Sequence, residues 1–178
     1  MNKAAFLDRD GVINRKASTE DEYITCWEEM QILPGVVEAI ALLCRANFSV
    51  IVVSNQRCVA KGLLTVSELD AIHQQMCREI SAMGATIDGV YYCPHEEQPA
   101  CSCRKPAPGM LFAAADEHQV DLNSSWMIGD SEKDIQAGRS AGCRTARILK
   151  TDINSDDNAD VLARSLLEAV HQILQLED

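Results

Sequence analysis

Four short stretches of the chain are apolar at almost every position and then change abruptly to small polar or acidic residues. These stretches are residues 3–7, 49–53, 125–128 and 145–149. Continuous apolar runs of this length are typical of strands that are buried on both faces of a parallel sheet. The first three runs are followed by Asp8, Ser54 and Gly129, respectively. Because open α/β sheets bind ligands at the carboxyl ends of their strands, these polar positions are candidates for a functional site.

Amphipathic helical patterns separate the apolar runs. Thr65 and Glu68 form a capping-box pattern ahead of an apolar stripe with helical spacing. Further helical patterns follow Pro34 and Gly109, and the last covers residues 161–176. Strands that alternate with helices predict an α/β fold with a doubly wound, Rossmann-like and mostly parallel sheet.

Composition indicates a globular protein and argues against several other classes. The chain has 178 residues, 47% hydrophobic and 24% charged, so we expect residues 1–178 to form a single domain. No apolar run approaches the roughly 20 residues of a membrane-spanning helix, and the N-terminus shows no signal-peptide pattern. The net charge of −11 would repel nucleic-acid phosphates. We therefore expect a cytoplasmic protein with neither a membrane nor a nucleic-acid partner.

Two pairs of aspartates suggest a metal site. Asp8 and Asp10 follow the first apolar run, and Asp130 and Asp134 follow the run at 125–128. If these two strands are neighbours, three or four carboxylates meet at one edge of the sheet, and they cannot all stay ionised without a counter-charge. A hard divalent cation with oxygen ligands, most simply Mg²⁺, would resolve the conflict. Either pair alone is explained equally well by turn and helix-cap residues.

Together with two further motifs, the aspartates resemble those of the haloacid dehalogenase-like phosphatases. In that family, Asp-x-Asp-Gly is followed by a Ser or Thr after the second strand, a Lys, and Gly-Asp-x-x-x-Asp. The matching residues here are Asp8, Asp10, Ser54, Lys105, Asp130 and Asp134. The resemblance covers the chain from about residue 3 to residue 149, and four motifs in this order are highly specific. It implies a phosphatase that works through an aspartyl-phosphate.

The resemblance also implies a role for each motif residue. A carboxylate with an ordinary pKa of about 3.9 is ionised at pH 7, so Asp8 needs no separate base to act as the nucleophile. Mg²⁺ on Asp8 and Asp130, together with Lys105, would offset the charge of the phosphate dianion. Asp10 would protonate the leaving oxygen and then activate water, which requires a raised pKa, and would also bind Mg²⁺ through its main-chain oxygen. Asp134 would support the site by orienting Lys105 or a metal-bound water.

A second cluster contains softer metal ligands. Cys93, His95, Cys101 and Cys103 lie within eleven positions, which fits a closed tetrahedral Cys₃His zinc site. In a reducing compartment such a thiol cluster indicates a metal site rather than disulfides. Because protein groups fill all four positions, the zinc is expected to be structural and to fix the loop that precedes Lys105.

The cysteine-rich segment narrows the resemblance to the D-glycero-D-manno-heptose 1,7-bisphosphate phosphatases. The segment that starts at Tyr91 reads Tyr-Tyr-Cys-Pro-His, and the one that starts at Cys101 reads Cys-Ser-Cys-Arg-Lys-Pro-Ala-Pro-Gly-Met. Those cap-less, zinc-loop enzymes remove the C7 phosphate in bacterial heptose precursor synthesis, which serves lipopolysaccharide core or nucleotide-heptose production. Histidinol-phosphate phosphatases share the plan and remain an alternative. A non-catalytic phosphate-binding module is a third reading.

The expected partner is a small phosphorylated sugar, bound by a monomer. The candidate substrate-binding residues are Lys16, Ala17, Ser18, Thr19, Ser54, Asn55, Gln56, Arg57, Arg104 and Lys105. The resemblance implies substrate contacts for Arg104 and for the segment from Lys16, whereas Ser54 and Asn55 are expected to donate hydrogen bonds to phosphoryl oxygens. Where the family commonly has Asn-Gln-Ser-Gly, this chain has Arg57 after Gln56. Arg57 either binds a second phosphate or is a surface residue.

Overall fold

One parallel sheet forms the centre of the molecule. The computed structural model describes residues 2–16, 23–149 and 158–177. Within them the strands are β1 (Lys3–Leu7), β2 (Phe48–Asn55), β3 (Gly89–Cys93), β4 (Trp126–Gly129), β5 (Arg144–Ile148) and β6 (Val161–Ala163). Their order in the sheet is β3-β2-β1-β4-β5-β6, and all five neighbouring pairs are parallel. The predicted parallel α/β sheet is confirmed.

Helices cover both faces of this sheet, which makes it doubly wound. One face packs against α1 (Val36–Arg45), α2 (Val66–Ala82) and α5 (Leu166–Glu177), and the other against α3 (Gly109–His118) and α4 (Glu132–Ala141). Successive residues of one strand serve the two cores, so Phe6 packs on the second face and Leu7 on the first. Single 3₁₀ turns lie at Trp27–Glu29 and Leu122–Ser124.

The start of α2 follows the predicted capping box. Glu68 N donates to Thr65 Oγ1 at 3.2 Å, and Thr65 N donates to Glu68 Oε2 at 2.8 Å. These two bonds satisfy amide groups that the first turn of a helix leaves unpaired, and such a cap stabilises a helix by about 1 kcal/mol. The cap therefore sets the point at which the chain enters α2.

The register of the sheet brings the ends of its central strands together. Leu7 of β1 pairs with Val52 of β2 on one side and with Ile128 of β4 on the other. Just beyond the strand, Asp8 N donates to Ile128 O at 2.9 Å. The polar residues that follow β1, β2 and β4 consequently share one edge of the sheet, as expected for a parallel arrangement.

Two strands differ from the expectation raised by the apolar pattern. Residues 161–163 form β6 beside β5 instead of beginning the last helix, because Val161 pairs with Ala146 and Leu149 N donates to Ala163 O at 2.8 Å. β3 was not anticipated. As an edge strand it is only half buried over most of its length, and its sequence Gly-Val-Tyr-Tyr-Cys has two tyrosines where β1 and β2 have mainly aliphatic residues.

The connection from β1 to α1 contains no additional module in its described part. Outside residues 17–22, its one helical segment is the turn at Trp27–Glu29. This agrees with the cap-less plan expected from the sequence. None of the helices in the described residues is long and apolar enough to span a bilayer.

Candidate active site

Three carboxylates meet at the carboxyl edge of the sheet. Asp8 follows β1, Asp130 follows β4, and Asp134 lies in the first turn of α4. Each offers an oxygen, and these oxygens lie within 4.8 Å of one another. The second oxygen of Asp134 accepts bonds from Ser131 N at 3.0 Å and Ser131 Oγ at 2.5 Å, which caps α4 and fixes the carboxylate. Hard oxygen ligands at this spacing fit a divalent cation such as Mg²⁺.

Lys105 is the buried cation of the cluster. Its Nζ lies 2.8 Å from Asp8 Oδ1 and 2.6 Å from Asp134 Oδ1, and it also donates to Val53 O at 2.8 Å. Its side chain is only 3% exposed. Burial opposes its charge, but the carboxylates of Asp134 and Asp8 outweigh burial and raise the pKa of Lys105. The ammonium therefore stays charged inside the site.

Asn55 holds the backbone of this lysine. Asn55 Nδ2 donates to Lys105 O at 3.0 Å, and Lys105 N donates to Asn55 Oδ1 at 3.0 Å. The two bonds join the end of β2 to the loop that precedes α3. The observed role of the Asn55 side chain is thus to position Lys105, and its predicted bond to a phosphoryl oxygen stays a prediction.

The pKa of Asp8 differs from the ordinary value expected from the sequence. Burial raises the pKa of Asp8 to about 7, with Lys105 opposing the shift and the nearby carboxylates of Asp134 and Asp10 adding to it. A divalent cation bound to Asp8 would favour the ionised form. The three carboxylates of the cluster exceed the single charge of Lys105 by two, which is the property of a cation site.

Asp10 is enclosed by donors and is not one of the three clustered carboxylates. Arg9 Nε and Nη2 lie 3.2 and 3.0 Å from its oxygens, Asn14 Nδ2 donates at 2.9 Å and Gln56 Nε2 at 2.8 Å. Burial acts to raise the pKa of Asp10, but the charge of Arg9 and these hydrogen bonds outweigh burial and lower the pKa. This is the reverse of the raised pKa expected from the sequence, and its cause is the set of donors.

A cavity of about 320 Å³ opens above these groups. Its lining residues are Asp8, Arg9, Asp10, Lys16, Tyr23, Ile24, Ser54, Asn55, Gln56, Lys105, Asp130, Ser131, Lys133 and Asp134. Lys16, about half exposed, reaches across to Asp130 with Nζ 3.2 Å from Oδ2. Ser54 is buried and its Oγ accepts a bond from Gln56 Nε2 at 2.7 Å. The motif residues are therefore brought together in one site.

Two predicted substrate residues lie outside the cavity lining. Arg57 Nε donates to the Tyr23 hydroxyl at 3.0 Å, and Arg104 donates to the backbone oxygen of His95 at 3.1 Å and pairs with Glu97 at 3.5 Å. Each is thus committed to a neighbouring side chain or loop in this structure. The remaining predicted substrate residues, Ala17, Ser18 and Thr19, lie outside the described part of the chain.

Several lining residues were missed by sequence reasoning. Arg9 stands between Asp8 and Asp10 in the sequence. This position was the one feature of the sequence that could have indicated Arg9 as a site residue. Ile24 and Lys133 carry no motif, and the fold alone brings them to the site. Lys133 Nζ reaches Glu97 Oε1 at 2.8 Å across the mouth of the cavity.

The predicted zinc ligands form a compact cluster beside this site. The three sulfur atoms of Cys93, Cys101 and Cys103 are 3.3–3.6 Å apart, and His95 Nδ1 lies 3.2 and 3.5 Å from two of them. Tetrahedral zinc with ordinary bond lengths places its sulfur ligands about 3.8 Å apart and a nitrogen about 3.6 Å from a sulfur. The donor set therefore fits zinc, and Lys105 follows two residues after Cys103.

Known proteins resemble this chain over most of its length. A family model described as HAD-hydrolase-like matches residues 102–169. The D-glycero-beta-D-manno-heptose-1,7-bisphosphate 7-phosphatase of Bordetella bronchiseptica is 40% identical over 141 residues, which are 79% of this chain and 77% of that protein. The protein of the same name from Escherichia coli K12 is 34% identical over 155 residues, covering 83% of this chain and 79% of its own.

Solved structures show the same similarity in three dimensions. The crystal structure of the Bordetella bronchiseptica D,D-heptose 1,7-bisphosphate phosphatase complexed with magnesium and phosphate matches with a TM-score of 0.87 and 34% identity, over 98% of this chain and 99% of that one. A putative HAD-like phosphatase from Mesorhizobium loti matches with a TM-score of 0.83 and 29% identity, over 97% and 87% of the two chains. The likeness extends well beyond the motifs.

Proposed function

The chain belongs to the D-glycero-D-manno-heptose-1,7-bisphosphate 7-phosphatase family of HAD-like phosphatases, and we propose that it removes the C7 phosphate of this bisphosphate in bacterial heptose synthesis. The observation that carries the proposal is the contact of Lys105 Nζ with Asp8 and Asp134, at the base of a cavity that Asp130 also lines. Phosphoryl transfer needs a nucleophile, a fixed cation and metal-binding oxygens at one point, and these side chains supply all three.

In the proposed reaction, an oxygen of Asp8 attacks phosphorus while the bond from phosphorus to the C7 oxygen breaks. Asp10 gives a proton to the departing oxygen, which leaves an aspartyl-phosphate on Asp8. Asp10 then takes a proton from water as the water attacks phosphorus, the bond from phosphorus to the Asp8 oxygen breaks, and inorganic phosphate leaves. The lowered pKa of Asp10 keeps its carboxylate ionised, which is the form that accepts a proton in this second step. The first step requires that Asp10 take up a proton beforehand, and the negative charge of a bound phosphate would raise its pKa toward that form. Lys105 holds Asp8 in place and balances charge on the phosphoryl oxygens.

We assign Asp8, Asp130 and the main-chain oxygen of Asp10 as the Mg²⁺ ligands. When bound, the ion neutralises charge on the transferring phosphoryl group and on the nucleophile. The spacing of the carboxylate oxygens and the raised pKa of Asp8 support this assignment. Because Asp134 is bonded to Lys105, we give it a supporting role, namely to position the lysine.

Substrate recognition is proposed to come from cations around an otherwise acidic protein. Lys16 lines the cavity, and Ser54 and Gln56 present polar groups at its base. Arg57 contacts the lining residue Tyr23 directly, and Arg104 is linked to the lining residue Lys133 through Glu97. A turn of either side chain would bring its guanidinium to a second phosphate. Ala17, Ser18 and Thr19 complete the predicted substrate segment.

The Cys₃His cluster is proposed to hold a structural zinc ion. All four of its donors belong to the protein, so no position is left for a substrate or a reactive water. The ion would fix the loop that presents Arg104 and Lys105. We propose that the protein works in the cytoplasm as a monomer. Thiolate ligands persist in a reducing compartment, which supports the cytoplasmic location.

The function is tested by measuring phosphate release from both anomers of D-glycero-D-manno-heptose 1,7-bisphosphate and from histidinol phosphate, with Mg²⁺ present. We expect the highest kcat/KM for one heptose anomer, and loss of turnover in Asp8→Asn, which keeps the size of the side chain but replaces the nucleophilic carboxylate by a neutral amide. Asp116→Asn is a matched control, because that residue is an exposed aspartate on α3. A higher kcat/KM for histidinol phosphate would change the assigned substrate, and full turnover in Asp8→Asn would overturn the mechanism.

A further inference from the structure

Arg9 is a buried cation that lies between the two motif aspartates and reaches in two directions. Its side chain is 1% exposed. Nε and Nη2 donate to the two oxygens of Asp10 at 3.2 and 3.0 Å, and Nη1 lies 3.1 Å from His73 Nε2. A buried guanidinium is stable only when its donors are paired, so both neighbours belong to its environment.

The contact between Arg9 and His73 fixes the protonation of the imidazole. A guanidinium is always protonated and only donates hydrogen bonds. His73 Nε2 must therefore accept, and the proton of the neutral ring sits on Nδ1. Within the described residues, Nδ1 is buried and has no hydrogen-bond partner. The imidazole thus keeps an unpaired N–H in the interior, and among residues 2–16, 23–149 and 158–177 its one hydrogen bond is to Arg9.

The imidazole is itself held in place by its neighbours. His73 lies on α2 and is 4% exposed. Its ring packs at a centroid distance of 5.3 Å against Tyr92 of β3, whose hydroxyl donates to Asp70 Oδ1 at 2.6 Å. Tyr92 holds one side of the ring, and Arg9 is bonded to the other side. The imidazole therefore links α2 to the segment that follows β1. A leucine would fill the space without an unpaired N–H, so packing alone does not account for a histidine.

We propose that His73 is a positioning residue for the reaction: by accepting from Arg9 Nη1 it sets the plane of the guanidinium, and the guanidinium in turn orients the carboxylate of Asp10. This inference rests on the proposed phosphatase function, in which Asp10 transfers the proton. An arginine fork matches a carboxylate only in one plane. With Nη1 released, the guanidinium turns and the Asp10 oxygens lose two of their donors.

The expected effect is limited because Asp10 has other partners. Asn14 and Gln56 also donate to it, at 2.9 and 2.8 Å. Misplacement of a reacting group by about 1 Å lowers rates by up to about 10²-fold. Because Arg9 is one of three residues that donate to Asp10, loss of its bonds is expected to lower kcat about tenfold. KM is expected to stay within about twofold, since His73 does not line the substrate cavity.

Two variants separate positioning from packing. His73→Leu fills the site but cannot accept from Arg9, whereas His73→Gln places an acceptor oxygen near the position of Nε2. We expect His73→Leu to lower kcat about tenfold with KM nearly unchanged, and His73→Gln to recover most of kcat. Ile80→Ala is the control for destabilisation of α2, because Ile80 is fully buried two turns further along the helix. It is expected to lower the melting temperature without changing kcat at 25 °C.

A spectroscopic measurement tests the contact without turnover. In ¹⁵N NMR spectra, the Arg9 Nε–H signal is expected to be protected from exchange in wild type and in His73→Gln, and to lose protection in His73→Leu. The proposal is overturned if kcat of His73→Leu equals that of wild type, if glutamine rescues no better than leucine, or if Arg9 stays protected in His73→Leu. If the wild-type protein releases no phosphate from any of the substrates, the proposed function is refuted. The NMR spectra would still decide whether His73 holds the Arg9 side chain in place.

Discussion

Replacing Lys105 by methionine tests the charge arrangement of the site most directly. Methionine keeps the length and the apolar stem but removes the ammonium that lies 2.8 Å from Asp8 and 2.6 Å from Asp134. Both carboxylates are almost fully buried. Removing one partner of a buried ion pair costs about 3–5 kcal/mol, because the remaining charge stays desolvated without compensation. In a protein of this size that loss lowers the melting temperature by roughly 10 °C.

The assay is urea unfolding at pH 7.5 in buffer without Mg²⁺, repeated with millimolar MgCl₂. A cation held by Asp8 and Asp130 supplies the missing counter-charge, so Mg²⁺ is expected to restore part of the stability lost in Lys105→Met. Lys133→Met is the matched control, because Lys133 lines the same cavity but pairs with Glu97 where both side chains are about half exposed. Surface pairs of that kind contribute about 0–1 kcal/mol.

Two outcomes would show that the reasoning is wrong. The first is a free energy of unfolding for Lys105→Met within about 1 kcal/mol of wild type without Mg²⁺, that is, in the range of the surface pair. The second is a loss of stability that Mg²⁺ does not reduce, which would mean that Lys105 and Mg²⁺ do not neutralise the same carboxylates.

Three further predictions concern other parts of the molecule. Burial and the charge of Arg9 lower the pKa of His73 to about 3, so the unfolded chain binds more protons between pH 3 and 6.5, and stability falls with decreasing pH in that window. Between pH 7.5 and pH 5 this group alone is expected to remove about 2 kcal/mol, a component that urea titrations should find missing in His73→Gln. Freshly purified protein is expected to contain one zinc per chain by metal analysis, and Cys101→Ser is expected to lose the zinc and to lower kcat/KM, whereas Cys26→Ser retains both. Glu177 at the end of α5 contacts Lys3, Arg144 and Trp126 Nε1, so Glu177→Ala is expected to lower the free energy of unfolding by about 1–2 kcal/mol, and an unchanged urea midpoint would contradict that anchoring role.

The parts of the fold that were predictable are those in which local pattern and environment agree. β1 and β2 lie in the middle of the sheet, so burial on both faces imposes the apolar runs from which they were inferred. β3 and β6 are the two edge strands, where one side of the ladder is open. A half-buried edge does not require a continuous apolar run, and the three residues of β6 are too few to show a period of two.

The same distinction applies to the candidate site: residues in a local sequence pattern could be predicted, and contacts between distant segments could not. Asp8, Asp130 and Lys105 could be named as candidates from the sequence, because the proposed chemistry needs particular residue types directly after strands or in a short motif, and the structure brings them together. The bond between Arg9 and His73 joins positions 64 residues apart, and no local pattern reports such a contact. The sequence also could not predict that the pKa of Asp8 is raised and that of Asp10 lowered. These shifts depend on burial and on donors such as Gln56 that the fold brings in from other segments.

The charges that line the cavity explain why a protein of net charge −11 is suited to an anionic substrate only when a divalent cation is bound. Four aspartates and four basic residues line the cavity, so its formal charge cancels. The cations are already engaged, as Lys105 pairs with Asp8, Lys16 with Asp130 and Lys133 with Glu97. A neutral cavity in an acidic protein has no net attraction for a bisphosphate. The two positive charges of one Mg²⁺ would change the sign of the cavity and release Lys16 from Asp130 for the substrate. Affinity for inorganic phosphate should therefore rise steeply with Mg²⁺ concentration, and an affinity independent of Mg²⁺ would contradict this account.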